Sequence, residues 1–229
     1  MEQDREKAGY VWPEPQRFTT LALAREGVPL VAAAAFVTAV FALLEWAVPA
    51  LIGLLLTGFF GFFFRDPDRL VPREKKAVVS PADGRVLEAG IIDGGSYFNG
   101  SCVKVSIFMS IFNVHVNRIP VTSTVRRIEY HPGTFVNASL DKASADNERN
   151  AVFMESEDGH RLTTVQIAGL VARRIICRIQ PGDEVRRGAR FGLICFGSRL
   201  DVYLPPETKT VVAPGQKVRA GTSILAYLP

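Results

Sequence analysis

The chain has 229 residues, 48% of them hydrophobic, with 27 Lys and Arg against 23 Asp and Glu and a mean hydropathy of +0.14. That suffices for one sizeable core plus an appendage, and it suggests that some apolar surface never meets water. Cys102, Cys177 and Cys195 are an odd number scattered inside apolar runs, which fits buried thiols in a reducing compartment better than a disulfide framework.

Residues 1–27 carry four basic against five acidic side chains and read as an N-terminal cytoplasmic segment. From Val28 to Phe64 the only charge is Glu45. This apolar run is longer than the roughly 20 residues that one membrane helix needs. Glu45-Trp46 near its middle and Pro49 just after predict two short helices, about 29–44 and 48–64, joined by a tight turn: a membrane helical hairpin. The run is too long for a cleavable signal peptide. Arg17 and Arg25 before it, and Arg65, Arg69, Arg73, Lys75 and Lys76 after it, place both ends on the cytoplasmic side of the inner membrane.

Residues 65–229 carry 23 basic against 17 acidic side chains. Excess positive charge on a tethered body is drawn toward anionic headgroups. No basic helix and no Arg/Lys run interleaved with aromatics points to nucleic acid. Past Lys76 the chain becomes short β-rich runs broken by turn signals, and in Cys102–Met109 the residues Val103, Val105, Ile107 and Met109 share one face. Pro132 to Asn150 is a long polar stretch of the kind that carries function or motion. Pro181-Gly-Asp-Glu-Val-Arg-Arg-Gly188 recurs 33 residues later as Pro214-Gly-Gln-Lys-Val-Arg-Ala-Gly221. PG-x-x-V-x-x-G is the turn-strand-turn pattern of barrel-sandwich folds, so the expected class is mainly β, a barrel-sandwich-like body behind the hairpin. A carrier of that fold needs a lysine at an exposed hairpin tip; the one near match, Asp141-Lys142-Ala143, sits in the long polar stretch and reads as chance.

Five segments carry a more specific signal: FFRDPDR (63–69), SPADGRV (80–86), FMSIFNVHVNRIP (108–120), NER (147–149) and FGSRLDVYLP (196–205). Each is weak alone, since Asp-Gly and Gly-Ser are common turns. In this order and behind an apolar hairpin they resemble the phosphatidylserine decarboxylase family, in its short, archaeal-type branch. The resemblance implies autocatalytic cleavage at Gly197-Ser198. Ser198 Oγ attacks the carbonyl before it, Gly197 leaves the backbone room for a strained geometry, and elimination then converts Ser198 into a pyruvoyl group. The products are chains 1–197 and 198–229. The implied activity is decarboxylation of phosphatidylserine to phosphatidylethanolamine and CO2 through a Schiff base, the ketone delocalising the electrons that CO2 leaves behind. Homodimers are implied as well.

The released carbon needs a proton donor, and His115 suits general-acid work because its ordinary pKa is near neutral. In longer bacterial members of that family a second histidine, three residues on, forms a self-cleavage triad with an Asp and the Ser. Here Arg118 occupies that place, and an arginine is no base at pH 7. Either His115 serves both steps, held by Asp83, or another group takes the proton. Arg118, with Asn117 beside it, is then a candidate contact for a substrate carboxylate or phosphate. Asn147-Glu148-Arg149 is a candidate support of the site. His131 and His160 adjoin turn signals and read as loop residues; three histidines without clustered Cys or Asp argue against a metal centre. Two rivals remain: a membrane adaptor with no chemistry, which leaves the chain intact, and a serine hydrolase of Ser198, His115 and Asp83. The hydrolase lacks GxSxG and any helix signal after Ser198.

Overall fold

A computed structural model describes residues 10–11, 22–133, 147–169, 174–195 and 197–229. Most of the expected 1–27 segment, most of the polar stretch including Asp141-Lys142-Ala143, and Phe196 lie outside the described residues. The chain divides between Asp68 and Arg69 into a helical unit and a β body, four residues later than the boundary expected from sequence.

The helical unit holds α1 (Val28–Leu43) and α2 (Ala47–Phe63), each within one residue of expectation. Pro29 stands in the first turn of α1, where a missing N–H costs no hydrogen bond. Glu45, at φ 60°, makes the reversal. The two helices approach closely at a small residue: a Cβ on Gly53 would lie 2.5 Å from Thr38 Oγ1, and Thr38 and Thr57 hydroxyls meet at 3.3 Å. Among the described residues no helix is long and apolar enough to cross a membrane. The physical reason is length: once Leu44–Trp46 is spent on the turn, 16 and 17 residues remain per helix. These measure about 24–26 Å against a hydrocarbon thickness of about 30 Å.

The β body contains β1 (Tyr10–Val11), β2 (Val71–Pro72), β3 (Ala77–Val79), β4 (Gly84–Asp93), β5 (Ser101–Met109), β6 (Val116–Arg118), β7 (Ser123–His131) and β8 (Arg149–Ser156). It continues with β9 (Arg161–Ile167), β10 (Ile175–Cys177), β11 (Glu184–Val185), β12 (Arg190–Ile194), β13 (Ser198–Leu204), β14 (Lys209–Thr210), β15 (Lys217–Val218) and β16 (Ile224–Tyr227). Eight of these form one curled antiparallel sheet in the order β11-β7-β8-β9-β13-β5-β4-β15. Smaller sheets run β10-β12-β6, β14-β16-β3 and β1-β2. The face of β5 expected to be apolar is the core face: Val103, Val105, Ile107 and Met109 pack with Leu200, Val202 and Leu204 of β13 and with Phe191. The molecule is thus mainly β with two helices.

The Pro-Gly repeat accounts for both ends of the large sheet. Each copy places glycines at positive φ, Gly182 and Gly188 in the first and Gly215 and Gly221 in the second, where side chains are rarely tolerated. Gly182 N–H donates to Val125 O at 2.8 Å, as Gly215 N–H does to Val86 O. Val125 N–H returns a bond to Asp183 O, and Val86 N–H to Gln216 O, both at 2.9 Å. Gly188 N–H reaches Ile119 O and Gly221 N–H reaches Ser80 O, both at 2.7 Å. The receiving segments, 79–86 and 118–125, bond to each other reciprocally: Val79 N–H to Pro120 O at 3.0 Å and Arg118 N–H to Pro81 O at 2.9 Å. The β body therefore contains an internally duplicated motif.

Candidate active site

Ser198 is the first residue of β13, directly opposite Met109, the last residue of β5. Partners across an antiparallel pair share a face, and here Ser198 Oγ lies 3.5 Å from Met109 Sδ, wholly buried. Gly197, just before it, has φ +67°, and a Cβ there would meet nothing within 4 Å. Its backbone conformation, not crowding, is what calls for glycine.

The same face carries a buried chain of amides. Asn150 Nδ2–H donates to Gln166 Oε1 at 3.0 Å, Gln166 Nε2–H to Asn117 Oδ1 at 2.8 Å, and Asn117 Nδ2 lies 3.7 Å from Met109 Sδ. Asn117 therefore sits next to the sulfur that Ser198 touches, with no surface exposed. Register explains the assembly: Gln166 is opposite Leu200 on β13 and Asn150 on β8, so all share the inner face with Ser198. Gln166 did not stand out in the sequence and Met109 did so only as part of an apolar strand face, because what links them is pairing between distant strands.

His115 is fully buried just ahead of β6, and its carbonyl accepts from Ile194 N–H at 3.4 Å. Arg118 is also buried, its Nη1–H donating to Gly188 O at 2.9 Å. A Cβ on Gly221 would lie 3.0 Å from Arg118 Cδ, so its stem lies against the turn glycines of both repeat copies. Asp83 Oδ1 accepts from Ala220 N–H at 2.7 Å, and Oδ2 pairs with Arg69 at 2.9 Å. Arg69 belongs to the FFRDPDR segment, whose role was not apparent from sequence. Arg85, two residues after Asp83, pairs with Phe108 on the other edge of β5. The Asp83 and Ser198 backbones thus flank the end of one strand, about 10 Å apart. Asn147 Nδ2–H donates to Ala168 O at 2.7 Å and Arg149 Nε–H to Tyr97 Oη at 2.6 Å, so the NER segment braces β8 and β9.

On the opposite face, Arg199 is buried beside the serine. Its Nε–H pairs with Asp201 at 2.7 Å and Nη2–H with Ser106 Oγ on β5 at 2.9 Å. Burial pulls the guanidinium pKa down, but the Asp201 carboxylate outweighs it and the net shift is upward. Tyr203, next on that face, is raised by burial and then by Asp201. The alternation Arg-Leu-Asp in 199–201 was the available signal.

A cavity of about 470 Å³ opens at the end of the sheet that bears Ser198, with Asp83, Arg85, Ser110, Phe112, Lys217 and Arg219 in its wall. Another, of about 480 Å³, is lined by Tyr97, Arg127, Phe153 and Arg161. Arg161 begins β9, whereas Ile167 at its end pairs with Arg199, so this cavity lies about 20 Å along the strand from the serine. Among the described residues no group of His, Cys, Asp and Glu could hold a metal ion.

The sequence model of the phosphatidylserine decarboxylase family matches residues 56–226. The phosphatidylserine decarboxylase proenzyme of Solidesulfovibrio magneticus is 53% identical over 205 residues, 89% of this chain and 95% of its own. Proteins of the same description from Syntrophus aciditrophicus and Burkholderia mallei are 49% and 50% identical, over 89% and 90% of this chain and 96% and 95% of theirs. With most of both chains covered at about half identity, and with Gly197-Ser198 set at the buried start of β13, the chain belongs to the phosphatidylserine decarboxylase family.

Proposed function

We propose that the chain is a proenzyme that cuts itself between Gly197 and Ser198 and then decarboxylates phosphatidylserine to phosphatidylethanolamine and CO2. The observation that carries this reading is the left-handed Gly197 leading into a buried serine on a strand paired at both edges. Ser198 Oγ attacks the Gly197 carbonyl, an ester bond forms, and the 197–198 amide breaks. Elimination across Cα–Cβ of residue 198 releases Gly197 as a carboxylate, and water then replaces the nitrogen, which leaves as ammonia. A pyruvoyl ketone at position 198 supplies an electron sink for the pair that departing CO2 leaves on the substrate carbon.

The local residues fit that group. In the cut protein 198–229 keeps β13, β15 and β16, which pair with β5 and β9, β4, and β3 of the first chain. The fragment stays docked without its peptide link. Arg199, bonded to Ser106 on β5, fixes the new terminus in register. His115 is the proposed proton donor, and Asp83 the carboxylate that assists cleavage. Asn117 and Arg118, being buried, act by positioning: Asn117 through Met109, Arg118 through Gly188.

The body is read as barrel-sandwich-like, a reading supported by its duplicated Pro-Gly turns. The α1–α2 hairpin is the proposed anchor in the cytoplasmic membrane, with the body on the cytoplasmic side. Leu43 (84% exposed), Phe36 (70%) and Val48 (69%) form an apolar surface suited to lipid. Helices this short enter a bilayer from one side without clearing it.

Ser198→Ala is expected to stay uncut and inactive. Cyanoborohydride with phosphatidylserine should attach substrate to the 198–229 fragment of the parent protein and not to the variant. An adduct on the uncut variant, or decarboxylation by it, would contradict the assignment.

A further inference from the structure

Phe112, preceded by Ile111, lines the basic cavity at the end of the sheet that bears Ser198. Ser110 N–H and Oγ–H both donate to Asn113 Oδ1, at 2.9 and 2.8 Å, and Asn113 N–H returns to Ser110 O at 3.0 Å. This tight turn holds Ile111 39% and Phe112 66% exposed. Beneath it, Lys217 on β15 stands directly opposite Arg85 on β4, and Arg219, two residues on, shares their face. Like charges opposite one another across a sheet repel and cost stability, and among the described residues the Arg85 side chain offsets that with a hydrogen bond to Gly215 O. The acid in the wall, Asp83, is already engaged by Arg69 and by Ala220 N–H, so the cavity is left cationic.

We propose that this lip and cavity form a bilayer-docking surface, with Ile111 and Phe112 entering the interface and Arg85, Lys217 and Arg219 receiving the phosphodiester of an anionic phospholipid. Charge complementarity selects the headgroup, and an apolar pair on a rigid turn selects lipid over a soluble anion. Ser110 follows Met109, the partner of Ser198, so docking here brings the bilayer surface to the end of the sheet that carries the serine. The inference rests on the reading that the substrate is a bilayer lipid, and its test does not depend on turnover.

The test uses the full chain with Trp12→Phe and Trp46→Phe, which leave Phe112→Trp as the sole tryptophan, and vesicles with brominated acyl chains. Vesicles of phosphatidylcholine with phosphatidylglycerol should quench Trp emission several-fold more than phosphatidylcholine alone. Adding Arg85→Gln, Lys217→Gln and Arg219→Gln should reduce quenching to the neutral-vesicle level, as should high salt. Complete cleavage at 197–198 in these variants verifies folding, and its absence from the parent would count against the proposed function instead. Equal quenching by both vesicles, undiminished quenching in the triple variant, or displacement by soluble glycerol phosphate would each overturn the docking surface.

Discussion

The two copies of the duplicated motif share a backbone hydrogen-bond pattern and differ in the side chain that meets the turn. In the first, 118–125 with 181–188, Thr122 Oγ1 accepts from Arg187 N–H at 3.1 Å. In the second, 79–86 with 214–221, the equivalent Asp83 accepts from Ala220 N–H at 2.7 Å and also pairs with Arg69. Both turns need a side-chain oxygen to satisfy a backbone donor, and a threonine suffices. The carboxylate at 83 therefore exceeds what folding requires, and it occurs only in the copy beside the end of β5, where Ser198 lies. On the proposed function, a duplicated scaffold uses one copy as a structural part and the other as a chemical one within a single chain.

That comparison is sharpest when copy two is made to look like copy one. Asp83→Thr should fold, because the Ala220 bond survives, and melt somewhat below the parent for the lost Arg69 pair. Self-cleavage should slow about 100-fold, the scale of a lost acid-base partner and about 2.7 kcal/mol of barrier. Unimpaired cleavage, followed by gel shift over time, would leave Asp83 a turn cap like Thr122. The next largest effects belong to the turn glycines. Gly188→Ala and Gly221→Ala each take on about 1–2 kcal/mol for a left-handed backbone. Gly188→Ala should be the worse by denaturant midpoint, since its Cβ would fall 2.3 Å from Val71 Cγ2, whereas at Gly221 the nearest atom is Arg118 Cδ at 3.0 Å. Equal losses would mean that the Val71 side of the first copy yields freely. Smallest is Thr122→Ala, expected to cost about 1 kcal/mol for one hydrogen bond and to leave cleavage at the parental rate.

Sequence reading reached the parts of this molecule that are written locally. Each copy of the Pro-Gly repeat, the alternating face of β5 and the Gly197-Ser198 junction are patterns within ten residues or fewer. The partner segments 79–86 and 118–125 escaped notice because only Pro81/Pro120 and Val86/Val125 match between them, and the rest of their likeness is hydrogen bonding. The amide chain from Asn150 through Gln166 to Asn117 escaped for a similar reason: three strands far apart in the chain must pair before it exists. Arg118 was read as a contact for a substrate carboxylate or phosphate; that its strand sets it in the interior, with Nη1–H on Gly188 O, depends on pairing that the sequence does not spell out. The apolar run 28–64 was read as a membrane hairpin of two short helices, and counting the turn residues shows why neither is long enough to cross a membrane.

The central claim concerns a single covalent junction, and the intact mass of the purified full-length protein tests it most directly. The account predicts two species, 1–197 ending in a free carboxylate and 198–229 beginning with a ketone in place of the serine amine. One species of 229 residues with an ordinary Ser198, in a preparation that releases CO2 from phosphatidylserine, would contradict it.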